Sequence, residues 1–197
     1  MGILLLGGSP AAPSSSSRLL LHVGERLALH GHRNSKLFVR DLPPRALLHA
    51  DSDDRAIRRA LLDVASADAI VIATPVYQAS FSGVLKAFLD LLPQGGLAGK
   101  LVLPLATGGS QSHMLALDYA LRPVLQALEA RQVLGSVYAT AQQLQWKEEG
   151  GLTLDASVAW RIGKAVDELS SALHALRQRA DPAFVHAPQP QPLRLAQ

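Results

Sequence analysis

The sequence predicts an open, doubly wound α/β fold: five parallel strands in one sheet, order 2-1-3-4-5, with helices on both faces. Three observations carry that expectation. The apolar runs at residues 3–6, 69–73 and 100–106 are continuous, not alternating, as strands buried on both faces must be. Each is followed by apolar residues at helical spacing, and alternating strand and helix imply parallel pairing with right-handed crossovers. Each also ends in a polar turn bearing glycine or proline, so three such turns should share the carboxyl edge of the sheet, where open α/β sheets bind ligands.

The first strand, residues 3–6, runs into Gly7, Gly8, Ser9 and Pro10 and then into four consecutive serines, residues 14–17. Glycine lets the backbone approach closely, serine caps a helix, and the first-turn N–H groups have no intrahelical partner, so the segment suits an anion. Neither G-x-x-x-x-G-K-[ST] nor G-x-G-x-x-G is present, which leaves a single phosphate monoester held by hydroxyls and amides, as in flavodoxin-like sheets. An ordinary loop and N-cap reads equally well from these residues alone.

A first helix carries Leu20, Val23, Leu27 and Ala28 and stops at Gly31. Residues 36–42 read as the second strand, closed by Pro43 and Pro44. Asp51, Ser52, Asp53 and Asp54 precede a helix bearing Ile57, Leu61 and Val64, and are assigned to its cap and dipole in preference to a metal. Strand 69–73 leads into TPVYQASFSG at 74–83 and a helix whose apolar face holds Phe81, Val84, Leu85, Phe88, Leu91 and Leu92, ended by Pro93, Gly95 and Gly96. Lys86 and Asp90, four apart, form a solvated pair.

Strand 100–106 ends in Thr107, Gly108, Gly109 and Ser110, although Pro104 costs a central strand one ladder bond. A helix over 112–131 contains Pro123, which cannot donate to the carbonyl of Tyr119, so a bulge or kink is expected between them. Residues 133–139 make the last strand, 142–154 an irregular excursion and 156–176 a closing helix. Residues 1–180 thus read as one domain, and the prolines at 182, 188, 190 and 192 mark 181–197 as a mobile tail.

Composition narrows the classes. In 197 residues, 48% are hydrophobic and 18% charged, the balance of a globular protein. The net charge of +3 is scattered, with no basic run for nucleic acid. The chain has no cysteine, which excludes disulfides and thiolate chemistry. No stretch reaches the roughly 18 apolar residues of a membrane span, and the N-terminal run is too short for a secretory signal, so a cytoplasmic location is expected. His30 and His32 flank Gly31 in an exposed turn and read as surface residues, not metal ligands.

The GSP and serine cluster, ATPVYQASFSGVLKAFLDLLP at 73–93 and GKLVLPLATGGSQSHMLALDYALRPVL at 99–125 resemble the NADPH-dependent FMN reductases. The similarity is strongest to those of alkanesulfonate utilisation, which supply reduced flavin to a partner monooxygenase. By this resemblance Ser9, Ser14, Ser16 and Ser17 hold the FMN phosphate, while Pro75, Val76 and Tyr77 line the isoalloxazine ring. Thr107, Gly108, Gly109 and Ser110 present backbone N–H groups to the part of the ring where reduction places negative charge, with His113 nearby. Hydride passes directly from NADPH or NADH to FMN, so no catalytic side chain and no metal is called for. Relatives commonly carry an arginine in the phosphate loop; here Ala11 and Ser15 stand at those positions and the nearest arginine in sequence is Arg18. That departure implies loosely held flavin, in keeping with FMN as a substrate. An FMN-containing quinone or azo reductase is the alternative, as is a flavodoxin-like electron carrier, although the acidic surface of a carrier is missing. The apolar residues around the Tyr119 break, with the resemblance, imply a homo-tetramer in which Tyr119 lies at the interface.

Overall fold

A computed structural model describes residues 2–146 and 152–180. Strands β1 (Gly2–Gly7), β3 (Ala69–Tyr77) and β5 (Leu101–Gly108) form the centre of a parallel sheet, with β2 (Arg33–Phe38) beside β1. The fifth position is shared by two short strands, β6 (Gln132–Val133) and β7 (Val137–Thr140), both parallel to β5. A two-residue strand, β4 (Ser80–Phe81), folds back antiparallel on β3. The five main positions therefore follow 2-1-3-4-5, the flavodoxin-like order.

Alternate residues of the central strands feed two cores. Leu4, Leu6, Ile70, Ile72 and Val102 pack against α2 (Pro44–Leu48), α3 (Arg55–Ser66), α4 (Gly83–Leu89) and α5 (Arg122–Ala127). Ile3, Leu5, Val71, Ala73, Leu103 and Leu105 pack against α1 (Ser15–Leu29) and α6 (Ala156–Ala180). Both faces of the central strands are buried, which is why their sequences show no alternation.

Several elements depart from the sequence reading. The second strand is 33–38, three residues earlier at its start; Val39–Asp41 is a 3₁₀ turn, and Pro44 opens α2 at a first-turn position where no N–H is needed. Phe81 belongs to β4 and not to the following helix. The expected 133–139 strand is broken into β6 and β7. They pair with Leu101 and Val102 and with residues 105–108, so the outer ladder is interrupted opposite Leu103 and Pro104, where a residue lacking N–H costs least. Within 142–154 the chain forms a hairpin, β8 (Leu144–Trp146) with β9 (Leu152–Leu154). The closing helix extends to Ala180, and the expected tail at 181–197 lies outside the described residues.

The expected 112–131 helix is composite. A 3₁₀ turn at Gln111–His113 precedes a π-helix at Leu117–Leu121, and regular α-helix begins only at α5. The Arg122 N–H reaches back five residues to the Leu117 carbonyl, immediately before Pro123. The break expected from proline is therefore present, and it leaves Tyr119 78% exposed while Leu117 and Leu121 stay buried.

Candidate functional site

Because β1, β3, β5 and β7 are parallel, the loops after them meet at one edge of the sheet. The first loop is built by packing that only glycine permits: a Cβ on Gly8 would lie 2.8 Å from Cβ of Leu85 in α4. The Gly8 N–H donates to the Ala73 carbonyl at 2.8 Å, and the Ser82 hydroxyl donates to the Gly8 carbonyl, so this loop is tied to β3 and to the start of α4. Ser14 is the N-cap of α1, its Oγ accepting from the Ser17 N–H at 3.1 Å.

The second loop is the tight hairpin between β3 and β4. Its tip residues, Gln78 and Ala79, have φ of 47° and 60°, a left-handed pair in a two-residue turn made without glycine. Thr74 Oγ1 accepts from the Ser82 N–H at 3.0 Å and holds the base of the hairpin closed. Tyr77 projects from it, half exposed.

The third loop, after β5, is braced from beneath. The Tyr138 hydroxyl donates to the Ser110 carbonyl at 2.6 Å, and a Cβ on Gly108 would run into that hydroxyl. Burial pushes the Tyr138 phenol up, so it stays a protonated donor. Nothing lies within 4 Å of a Cβ built on Gly109, which faces open space.

These loops enclose a cleft of about 350 Å³. Of the residues expected from sequence, Ser14, Ser16, Pro75, Val76, Tyr77, Thr107, Gly108 and Gly109 line it together. Four others do not. Ser9 is fully buried with its hydroxyl bonded within its own loop to Ala11, and Ser17 accepts hydrogen bonds from Ser14 at 2.7 Å and from Arg40 at 2.9 Å. Ser110 supports the 3₁₀ turn, its Oγ accepting from the Ser112 N–H at 3.3 Å, while His113 ends that turn with Nδ1 buried and without a partner. Sequence reasoning missed Ala11, Pro13 and Ser15 as lining residues, and also Ala141. Ala141 follows β7, whose carboxyl end meets the same edge, so the rule that located the other three loops applies to it as well.

His32 is also placed differently. It is 3% exposed, with Nε2 2.8 Å from the Ser170 hydroxyl, so it packs inside the fold against α6 and is not a surface residue. Among the described residues no group of histidine and acidic side chains could hold a metal; Asp54 caps α3, accepting from the Ala56 and Ile57 N–H groups. The Lys86 ammonium bonds the Asp90 carboxylate on the exposed face of α4.

Among the described residues, no charged side chain lines the cleft. It offers hydroxyls and first-turn amides of a 15-residue helix at one end, bare backbone at Gly108 and Gly109 at the other, and an aromatic ring with proline and valine between them. That is a fit for an anionic group joined to a flat, weakly polar ring system, which describes flavin mononucleotide, and the volume is that of a small-molecule site, about 300–1,000 Å³.

Comparison with known proteins identifies the family. The family model described as NADPH-dependent FMN reductase matches residues 1–145. An FMN reductase (NADPH) of Pseudomonas putida is 40% identical over 190 residues, 96% of this chain and 91% of that protein. An FMN reductase (NADPH) of Escherichia coli is 40% identical over 175 residues, covering 88% and 91%. Among solved structures, the apo form of the NADH:FMN oxidoreductase EMOB superposes with a TM-score of 0.81 at 35% identity, covering 97% of each chain.

Proposed function

This chain belongs to the NADPH-dependent FMN reductase family, and we propose that it takes FMN as a substrate and hands the reduced flavin to a partner monooxygenase. It is an oxidoreductase, an NAD(P)H-dependent FMN reductase. The observation that carries the proposal is the cleft itself: open at the sheet edge, with no charged side chain among the described residues that line it and no basic residue in the loop from Gly8 to Ser17. Such a site recognises the flavin yet holds it weakly enough to exchange.

FMN supplies the acceptor for the hydride of the nicotinamide. The protein's own contribution is placement. Ser14 and Ser16, with the first-turn amides of α1, receive the phosphate; Pro75, Val76 and Tyr77 form one wall for the ring. The Thr107 to Gly109 backbone continues from the neighbouring strand, where Thr107 pairs with Pro75, and is held by Tyr138; its fixed amide dipoles would favour negative charge on the ring. In this reading hydride passes directly from the nicotinamide to the flavin, and no side chain of the cleft is assigned a proton-transfer step.

The remaining parts of the proposal concern setting. The reduced flavin serves a flavin-dependent monooxygenase of sulfonate-sulfur acquisition, in the cytoplasm where NADPH or NADH is at hand. Met114, Leu115 and Tyr119, 45%, 50% and 78% exposed around the π-helix, supply an apolar patch for a homo-tetramer.

Steady-state oxidation of NADPH and NADH, with and without added FMN, tests the substrate assignment. Oxidation that depends on added FMN and saturates with it is expected, from a protein that purifies nearly colourless. Full activity without added flavin, in a yellow protein, would establish a prosthetic group and the quinone or azo reductase alternative.

A further inference from the structure

We propose that Arg40, reaching the phosphate loop from the neighbouring strand, supplies the positive charge that this loop lacks and sets the preference for FMN over riboflavin. The loop from Gly8 to Ser17 contains no basic residue. Yet Gly7 pairs with Phe38 in the sheet, so the turn after β2 lies directly beside the turn after β1. From that turn Arg40 Nη1 donates to the Ser17 hydroxyl at 2.9 Å and to the Ala11 carbonyl at 3.2 Å. Its guanidinium carbon stands 4.4 Å from the centre of the Phe38 ring, and the side chain is only 18% exposed. Asp41 is a weak counter-charge, 3.7 Å away and 66% exposed.

The geometry gives the guanidinium two effects on the loop. It ties down the Ala11 carbonyl in the loop whose Ala11, Ser14 and Ser16 line the cleft, and it adds a fixed positive charge near the N-terminus of α1, where the helix dipole already favours an anion. It also occupies Ser17, which accepts from Ser14 as well as from Arg40, explaining why that serine faces the arginine and not the cleft. Arg40 is thus a positioning and specificity residue acting through the loop, without entering the cleft.

The inference rests on the reading that the loop binds the FMN phosphate, and the test separates the two. Flavin fluorescence titrations give dissociation constants of FMN and riboflavin for the wild type, R40Q and R40K. The wild type should prefer FMN. R40Q should lose about tenfold in FMN affinity while riboflavin changes by less than about twofold, and R40K, which keeps a charge without the fork, should lie between. A wild type that does not distinguish the two flavins would overturn the phosphate reading itself. A wild type that does distinguish them, with an unchanged FMN to riboflavin ratio in R40Q, would overturn the role of Arg40 alone. Equal losses for both flavins in R40Q would do the same, by showing that the residue only supports the fold.

Discussion

Two adjacent glycines in the third loop do different work, and substitution separates them. A Cβ at Gly108 meets the Tyr138 hydroxyl beneath the loop, whereas one at Gly109 meets nothing and points into open space. Gly108→Ala should therefore lower stability by about 1–3 kcal/mol through overpacking, visible as a fall in Tm. Gly109→Val should keep the wild-type Tm and lose FMN turnover; undiminished turnover would remove the loop from the ring site. Ser16 gives a second contrast, since it lines the cleft and its hydroxyl makes only a long 3.4 Å approach to the Ser14 hydroxyl. Ser16→Ala should weaken FMN by about 1–2 kcal/mol, as for loss of one charge-assisted bond, and leave riboflavin nearly unaffected. Ser14→Ala mixes the same loss with that of the α1 cap, worth about 1 kcal/mol, so it should lower Tm as well. The residue types that line the cleft were legible in the sequence because three polar turns follow buried strands, although the first of them read equally well as an ordinary loop and N-cap. Which serine faces the cleft was not legible, because that depends on Arg40, remote in sequence.

At the scale of elements, what the sequence concealed has identifiable causes. The hairpin tip at Gln78 and Ala79 adopts left-handed backbone without glycine or asparagine, so no turn signal announced β4. Extending the second strand to Leu42 hid the turn at Val39–Asp41, and with it the arrival of Arg40 beside the first loop. His32 looked exposed because it follows a glycine at the end of α1, but that turn packs under α6, where the His32 and His174 rings stand 5.4 Å apart. Burial holds His32 below the usual histidine range, and the neighbouring His174, Arg177 and His30 push the same way. His22 on α1 is lowered chiefly by burial too. A histidine with a lowered folded-state value binds fewer protons than the unfolded chain does, so its stabilisation is complete above about pH 6.5 and is lost as pH falls through the folded-state value. Thermal unfolding should give a level Tm from about pH 8 to 7 and a decline below about 6.5. His32→Gln should flatten part of that decline; an unchanged profile would place the sensitivity elsewhere.

For the whole molecule, the fold class was legible because burial of both faces leaves continuous apolar strands, while the order 2-1-3-4-5 is that of the flavodoxin-like fold and is not fixed by the apolar pattern. Assembly is a separate matter, since a patch that docks on another copy looks, within one chain, like misplaced core. The π-helix bears on the proposed tetramer. Pro123 already requires a break in regular α-helical bonding, and lodging the extra residue at Leu117–Leu121 leaves Tyr119, Leu115 and Met114 exposed. Meanwhile Arg122 anchors the bulge to the sheet edge, donating to the Val133 and Leu134 carbonyls at 3.2 and 3.3 Å and to Asp118 at 3.2 Å, so the outward face is held rigid. A rigid apolar projection with an aromatic tip is suited to a self-complementary contact, in which each copy's tyrosine is buried by its neighbour. The same segment continues directly from the third loop of the cleft, so assembly should also steady that loop. Sedimentation at micromolar concentration is expected to show a tetramer for the wild type and smaller species for Tyr119→Ala, with FMN turnover reduced in the variant. A monomeric wild type, or an intact variant tetramer with unaltered turnover, would leave Tyr119 as a surface residue with no part in assembly.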